Sequence, residues 1–151
     1  MANRSKLDIR RGTLADVPRA LEIWRSAVDS THRFLSPEHR AEIDVLVREQ
    51  FLPNAELWLA VDDEGSQMGW LVMDGDMIDA LFVDPAAHGL GYGSRLLDQA
   101  ALLSPSRTLR VEASEQATNA LPFYLARGFR ITGRTPTDHD GRPYPLVQLV
   151  R

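Results

Sequence analysis

The sequence predicts a mixed α/β fold of the α+β kind: one mostly antiparallel central sheet with a single parallel strand pair, flanked by helices. Three observations carry that prediction. The apolar period alternates between helical and twofold along the 151 residues. Three strand patterns between Leu57 and Val83 are separated only by short polar turns, so they should pair as antiparallel neighbours. The last of them leads through a helical pattern into another strand, a βαβ crossover whose strands run parallel.

In order, Leu7–Arg11 alternates as a short strand closed by Gly12. Asp16 is a plausible N-cap with Pro18 just inside, and Val17, Ala20, Leu21, Trp24, Ala27 and Val28 share one face; a helix is expected from about Asp16 to Asp29. Residues 30–35 read as a loop. Ser36-Pro37-Glu38 starts a second helix whose buried stripe would be Ile43, Leu46, Val47 and Phe51. Strands are expected at Leu57–Val61, Gln67–Met73 and Met77–Val83, with turns at 62–66 and 74–76. A helix from Gly93 to Leu103 precedes a strand at Leu109–Ala113. A further helix, Ala117–Arg127, is stopped by Gly128, and strands at Phe129–Gly133 and Tyr144–Val150 flank a polar loop, 135–143. Trp24, Trp58 and Trp70 sit in amphipathic patterns and are expected in the core. No repeat or linker divides the chain, so residues 1–151 are expected to form one domain, able to bury roughly 70% of the surface of the unfolded chain.

Composition narrows the function. A formal net charge of −4 argues against general nucleic-acid binding and mildly favours a cationic substrate. No apolar run approaches the ~20 residues of a membrane span, and Met1–Lys6 lacks the apolar core of a signal peptide, so a cytoplasmic protein without membrane partners is expected. Cysteine is absent, which removes disulfides, thiolate metal sites and cysteine nucleophiles. Asp138-His139-Asp140 is spaced too tightly for a preformed metal site and reads as a solvated turn; no metal is expected.

The organising stretch runs from Met77 to Leu103: strand, glycine-rich loop (His88 to Gly93), helix. Glycines let the backbone approach a ligand, and the first turn of a helix leaves its N–H groups unpaired, so this order makes an anion site for a phosphate or pyrophosphate. A P-loop would need a lysine after its glycines, and Lys6 is the sole lysine of the chain. A dinucleotide fingerprint begins correctly at Gly89 and Gly91, but its third glycine falls one place early, at Gly93, with Ser94 where it should stand. Glu112 lies about where a ribose-binding acid would, yet antiparallel strands precede the loop and only one βαβ unit is visible. A tight turn with no ligand is the plain alternative.

The flanking residues decide between these. L-F-V-D-P-x-x-H-G-L-G-Y-G-S-R-L-L (Leu81 to Leu97), followed about 30 residues later by F-Y-L-A-R-G-F (Phe123 to Phe129), closely resembles the GNAT superfamily of acyl-CoA-dependent N-acetyltransferases. The loop pattern [Q/R]-x-x-G-x-[G/A] is met by His88-Gly89-Leu90-Gly91-Tyr92-Gly93, and the later pattern by Ala120, Phe123, Tyr124, Gly128 and Phe129. The resemblance covers Leu7 to Val150. D-S-T-H-R-F-L (Asp29 to Leu35) and D-G-R-P-Y-P-L (Asp140 to Leu146) also look like a bacterial branch of small members with unassigned acceptors. Two departures stand out. His88 replaces the usual Gln or Arg, so a permanent cation is missing from the loop and backbone N–H groups should carry more of the binding. Ala117 takes the usual Asn position, with Asn119 two residues on as a possible substitute or a plain surface residue.

What the resemblance implies is an enzyme that moves an acetyl group from acetyl-CoA to a primary amine, as a monomer or homodimer. Strands Met77–Val83 and Leu109–Ala113 should splay, with pantetheine pairing to the backbone around Leu81, Phe82 and Val83 and pyrophosphate resting on the N–H groups of Gly89, Leu90, Gly91, Tyr92, Gly93 and Ser94. A backbone N–H of the strand, that of Val83, would steady the oxyanion. Without cysteine or a G-x-S-x-G elbow, direct attack in a ternary complex remains. Tyr124 is the expected general acid for the departing thiolate, against the alternative of a core tyrosine. For the base, Asp79 is the first candidate, as an acid within an apolar strand on the face of Met77 and Leu81; Glu112 is the second, with a place in the acceptor site. His32 and Phe34 would line the acceptor pocket with loop 135–143, whereas His39 reads as a solvated helix residue. A module that binds acyl-CoA without turnover is the alternative to an enzyme.

Overall fold

The computed structural model of the chain describes residues 7–151, so the reading of Met1–Lys6 lies outside the described residues. Seven strands form one sheet in the order β1-β2-β3-β4-β5-β7-β6. They are β1 (Asp8–Arg11), β2 (Trp58–Val61), β3 (Gln67–Asp74), β4 (Met77–Val83), β5 (Arg110–Ser114), β6 (Arg130–Thr135) and β7 (Leu146–Val150). Every neighbouring pair is antiparallel except β4 with β5. The helices are α1 (Val17–Thr31), α2 (Pro37–Leu46), a π-turn at Val47–Phe51 leading into the short α3 (Leu52–Asn54), α4 (Tyr92–Leu103) and α5 (Ala120–Ala126). The expected order of elements is the observed one. Among the described residues no helix is long and apolar enough to cross a membrane.

Alternation splits the apolar residues between the two faces of the sheet. On one face Leu71, Ile78, Val111, Ala113, Val147 and Leu149 pack against Leu96, Leu97 and Ala100 of α4 and Tyr124 of α5. On the other, Leu59, Val61, Trp70 and Val72 pack against Ala20, Ile23, Trp24 and Val28 of α1 and Leu52 of α3. Trp70 is fully buried, and its indole N–H donates to the Ala20 carbonyl at 3.0 Å, so no polar group is orphaned there. Trp24 is buried too, but Trp58 is only half-buried, with the Arg11 guanidinium 4.9 Å above its ring.

The elements depart from expectation where tertiary contacts override the local pattern. α1 continues through Ser30 and Thr31, because the Thr31 hydroxyl donates to the Ala27 carbonyl at 2.7 Å and the side chain is buried. The stripe Ile43, Leu46, Val47 and Phe51 is only half-buried; α2 contributes no buried residue, and Leu52 supplies the anchor. The last helix begins at Ala120 instead of Ala117, which is buried in a turn whose N–H donates to Ser114. β7 begins at Leu146, after Tyr144 turns back onto the Arg142 carbonyl and Pro145 offers no N–H to a ladder.

Candidate active site

The site begins where the parallel pair stops. β4 and β5 share only Met77↔Arg110 and Ile78↔Val111; beyond them β5 stays on β7 as far as Ser114, while β4 stays on β3 as far as Val83. The two strands therefore diverge. Asp84 donates its N–H to Met68, so alternation turns the N–H and C=O groups of Val83, and of Leu81 before it, away from β3 toward the opening. A cleft of about 460 Å³ fills the gap. Its walls are Leu81, Phe82 and Val83, the loop and first turn of α4, Asn119, Ala120, Phe123, Tyr124 and Arg127, and Ala27, Thr31 and His32 at the end of α1. Because α4 and α5 lie on one face of the sheet and α1 on the other, the cleft crosses the sheet.

The loop has the form an anion cradle needs. Gly89 and Gly91 have φ of +79° and +93°, and Gly91 is the N-cap of α4. The Asp84 carboxylate accepts the Ala86 N–H at 3.0 Å and is held by Arg19 at 2.7 Å, which fixes the turn before the loop. The N–H groups of the first turn of α4 face the cleft, with the positive end of the helix dipole behind them. Gly93 is needed for closeness: a Cβ there would lie 3.0 Å from the Phe123 ring, which presses α5 onto the start of α4. Tyr92 lines the cleft and packs into the core, and Leu90 turns its side chain outward, 62% exposed. His88 lines the cleft, with Nε2 3.2 Å from the Val83 carbonyl. Asn119 lines it as well, at the N-cap position of α5, and its side chain makes no capping bond.

Arg127, which sequence reasoning passed over, supplies the cation that the loop lacks. Its Nε and Nη2 donate to Ser94 Oγ at 3.0 and 2.9 Å, and its Nη1 to the Phe123 carbonyl at 3.0 Å. The guanidinium carbon lies 3.8 Å from the Phe123 ring centroid. All these partners are neutral, and among the described residues no carboxylate pairs with the guanidinium. The available signal was the i,i+4 spacing of Phe123 and Arg127, which puts the two side chains on one helix face.

Tyr124 lies inside the cleft, edge-on to Phe123 and Phe129 with ring centroids 5.1 Å away in both cases. Burial pushes its phenol well above the ordinary range, so it holds its proton, and the hydroxyl has no hydrogen-bond partner among the described residues. The two acids are placed differently from expectation. A bulge between Val72 and Met73 leaves Asp79 unpaired on β4, which breaks the alternation and turns it from the Leu81 face to the α1 face. There it lines a second cavity with Phe51, Glu56, Val72 and Asp74, separate from the cleft; burial and then the Asp74 charge push its carboxyl up. Glu112 is also absent from the cleft walls, and it accepts from His139 Nε2 and Gln148 Nε2, each at 2.7 Å.

The α1–α2 loop and the β6–β7 loop meet beside the α1 end of the cleft, whose walls include His32 but, against expectation, neither Phe34 nor any residue of loop 135–143. His32, Phe34 and Tyr144 form a row of rings with centroids 5.3 and 5.7 Å apart, continued by His39 edge-on to Tyr144. Thus His39 is not a solvated helix residue: its Nδ1 bonds the Tyr144 hydroxyl, which also accepts the Ser36 N–H. Arg142 ties the β6–β7 loop to α2 through Glu42 at 3.2 Å and also holds Asp138 and Asp140. Asp138 caps that turn by accepting the N–H groups of Asp140 and Arg142, while His139 reaches over to Glu112. Among the described residues no group of His, Asp and Glu is arranged to hold a metal.

Comparison with known proteins agrees with this geometry. A family model described as acetyltransferase (GNAT) domain matches residues 53–131. The chain is 43% identical over 144 residues to the peptidyl-lysine N-acetyltransferase YjaB of Salmonella typhimurium, covering 95% of this chain and 97% of that protein. The Escherichia coli protein of the same name is 41% identical over 144 residues, with 95% and 96% covered. The solution structure of apo-form YjaB from Escherichia coli superposes with a TM-score of 0.89 at 40% identity, covering 96% of this chain and 97% of that one.

Proposed function

The chain belongs to the GNAT family of acetyltransferases, and from that premise we propose that its acceptor is the ε-amine of a protein lysine. The enzyme transfers an acetyl group from acetyl-CoA to a primary amine. The observation that carries the acceptor reading is the cleft that crosses the sheet: one end has the anion cradle and Arg127, the other is walled by Ala27, Thr31 and His32, whose ring continues into Phe34 and Tyr144 of the two neighbouring loops. Such an end admits a long, narrow aliphatic amine presented on a protein surface. The likeness to proteins named peptidyl-lysine N-acetyltransferases supports the same reading.

In this reading Gly89 to Ser94 and Arg127 hold the phosphates, Asn119 and the strand edge at Leu81–Val83 hold the pantetheine arm, and the thioester lies near Tyr124. The amine attacks directly, since the chain has no cysteine to carry the acyl group. The Val83 N–H faces the developing oxyanion, and Tyr124 gives its proton to the thiolate as the C–S bond breaks. Asp79, turned to the other cavity, is dropped as the direct base. Glu112 orders the acceptor side through His139 and Gln148. The chain works as a single domain in the cytoplasm.

The test is a CoA-release assay with acetyl-CoA and three acceptors: a lysyl peptide with a blocked N-terminus, the same peptide with a free N-terminus and its lysine replaced, and a small polyamine. Turnover should favour the first, with mass spectrometry placing the acetyl group on the lysine. Turnover confined to the polyamine or to the α-amine overturns the lysine reading.

A further inference from the structure

A lysine ε-amine, with a pKa of ~10.4, arrives as an ammonium and must lose a proton before it can attack a thioester. Neither Asp79 nor Glu112 lines the cleft. His32 does, at the end of α1 on the acceptor side, next to Phe34.

The hydrogen bonds around His32 fix which ring nitrogen is basic. Thr31 has a single hydroxyl proton, and it is given to the Ala27 carbonyl at 2.7 Å. The same oxygen lies 2.7 Å from His32 Nδ1, so it must accept there and Nδ1 must carry the hydrogen. In the neutral ring Nε2 then holds the lone pair. It has no hydrogen-bond partner among the described residues, although the ring sits on the wall of the cleft. The arrangement is that of an oriented base whose orienting partner is a hydroxyl instead of a carboxylate.

Resting on the acetyltransferase reading above, we propose that His32 is the general base, its Nε2 taking the proton of the incoming ammonium. The neutral amine forms the C–N bond at the thioester carbonyl, and the imidazolium passes its proton to solvent. The second proton shed by the nitrogen balances the one that Tyr124 delivers to sulfur as the C–S bond breaks. The products are the amide, CoA thiol and one proton released. The environment favours the neutral ring. Among the described residues the titratable groups that share the cleft are His88, Tyr92, Tyr124 and Arg127, none of them a carboxylate; Arg33 follows His32 into the solvent-exposed loop, Tyr144 and His39 continue its row of rings beyond Phe34, and on α1 itself Asp29 is engaged by Arg40. Burial lowers the pKa of His32, so the base form is the resting form at neutral pH.

The test is the pH profile of kcat/KM on a lysyl peptide for the wild type and for His32→Asn, whose amide keeps a donor toward Thr31 but has no basic nitrogen. With His32 as base, the wild type is flat from about pH 7 to the amine pKa of ~10.4 and falls on the acid side of its imidazole pKa, below ~6.5. The variant should lose about 100-fold at pH 7 and climb tenfold per pH unit toward ~10.4, because only the spontaneously neutral amine reacts. Its affinity for acetyl-CoA should be unchanged. A variant that keeps the flat profile, or loses less than about tenfold, overturns the proposal. If His32→Asn does not fold, the wild-type profile alone decides: a plateau with an acid limb supports the base, and a tenfold climb per unit refutes it. If the wild type turns over a different amine, the lysine reading falls while the same profiles on that amine still judge His32.

Discussion

Replacing Arg127 by Met tests whether the cation of the phosphate end comes from α5 instead of the loop. Methionine keeps the unbranched stem that covers Phe123 and removes only the guanidinium. The wild-type group is half-buried, oriented by Ser94 and Phe123, and paired with no carboxylate among the described residues, so its charge is available to a phosphate. A hydrogen bond to a charged group contributes about 1.5–3 kcal/mol, and partial exposure points to the lower end. At about 1.4 kcal/mol per decade that is roughly tenfold in affinity. Calorimetric titration of acetyl-CoA should therefore weaken about tenfold, with a shallower salt dependence, while kcat at saturation stays within about twofold. An affinity within about twofold of the wild type would refute the assignment and return the binding to the backbone N–H groups of Gly89 to Ser94.

Tyr124→Phe should bind acetyl-CoA as the wild type does and lose about 100-fold in kcat in the CoA-release assay; unchanged turnover would remove the acid role. Gly91→Ala places an L-residue at φ +93° and should cost roughly 1–2 kcal/mol, read as a fall of about 3–6 °C in Tm together with weaker acetyl-CoA binding. Hydrogen bonds from Arg25 and then Arg40 hold the Asp44 carboxyl at about 2, below its ordinary 3.8. A depressed folded pKa stabilises the fold fully above the ordinary value, so denaturant titrations should show on the order of 1 kcal/mol lost as pH falls from about 4 toward 2, and Asp44→Asn should flatten that loss.

What could be read in advance follows how local each determinant is. The β3–β4 region was legible because twofold alternation and short turns lie within a few residues: β4 was expected at Met77–Val83 and is found there. The glycine loop was legible for the same reason, its two positive-φ positions, 89 and 91, both being glycine. Asp79 was misplaced because alternation assumes an unbroken ladder, and a bulge requires one partner strand to be short against the other, which no single strand records. His39 and Tyr144 stand 105 positions apart, and Arg127 reaches Ser94 across 33; such pairs exist only once the sheet has brought the helices and loops together. Local pattern therefore reached the glycine loop and Tyr124, both of which line the cleft, while Arg127 and the surroundings of His32 needed the fold.

The splay of β4 and β5 also resolves a conflict of charge. A cofactor bearing phosphates needs net positive potential, whereas an incoming ammonium needs its absence. The chain answers by treating most of its arginines differently at the two mouths; Arg33, exposed to solvent in the α1–α2 loop with no ion pair among the described residues, is the exception. On the α1–α2 side, Arg25 is paired with Asp44, Arg40 with Asp29 and Asp44, and Arg142 with Glu42, Asp138 and Asp140. Each carries its charge into an ion pair and leaves little field for an approaching amine. At the phosphate mouth Arg127 is bonded, among the described residues, only to a hydroxyl and a carbonyl, so its field adds to that of the α4 terminus. His32 belongs to the first environment: a fixed cation beside it would suppress the protonated ring it must pass through, and a carboxylate would hold the proton it must release. A neutral threonine hydroxyl on Nδ1 does neither, which is why a base oriented by Thr31 suits the acceptor end of this cleft.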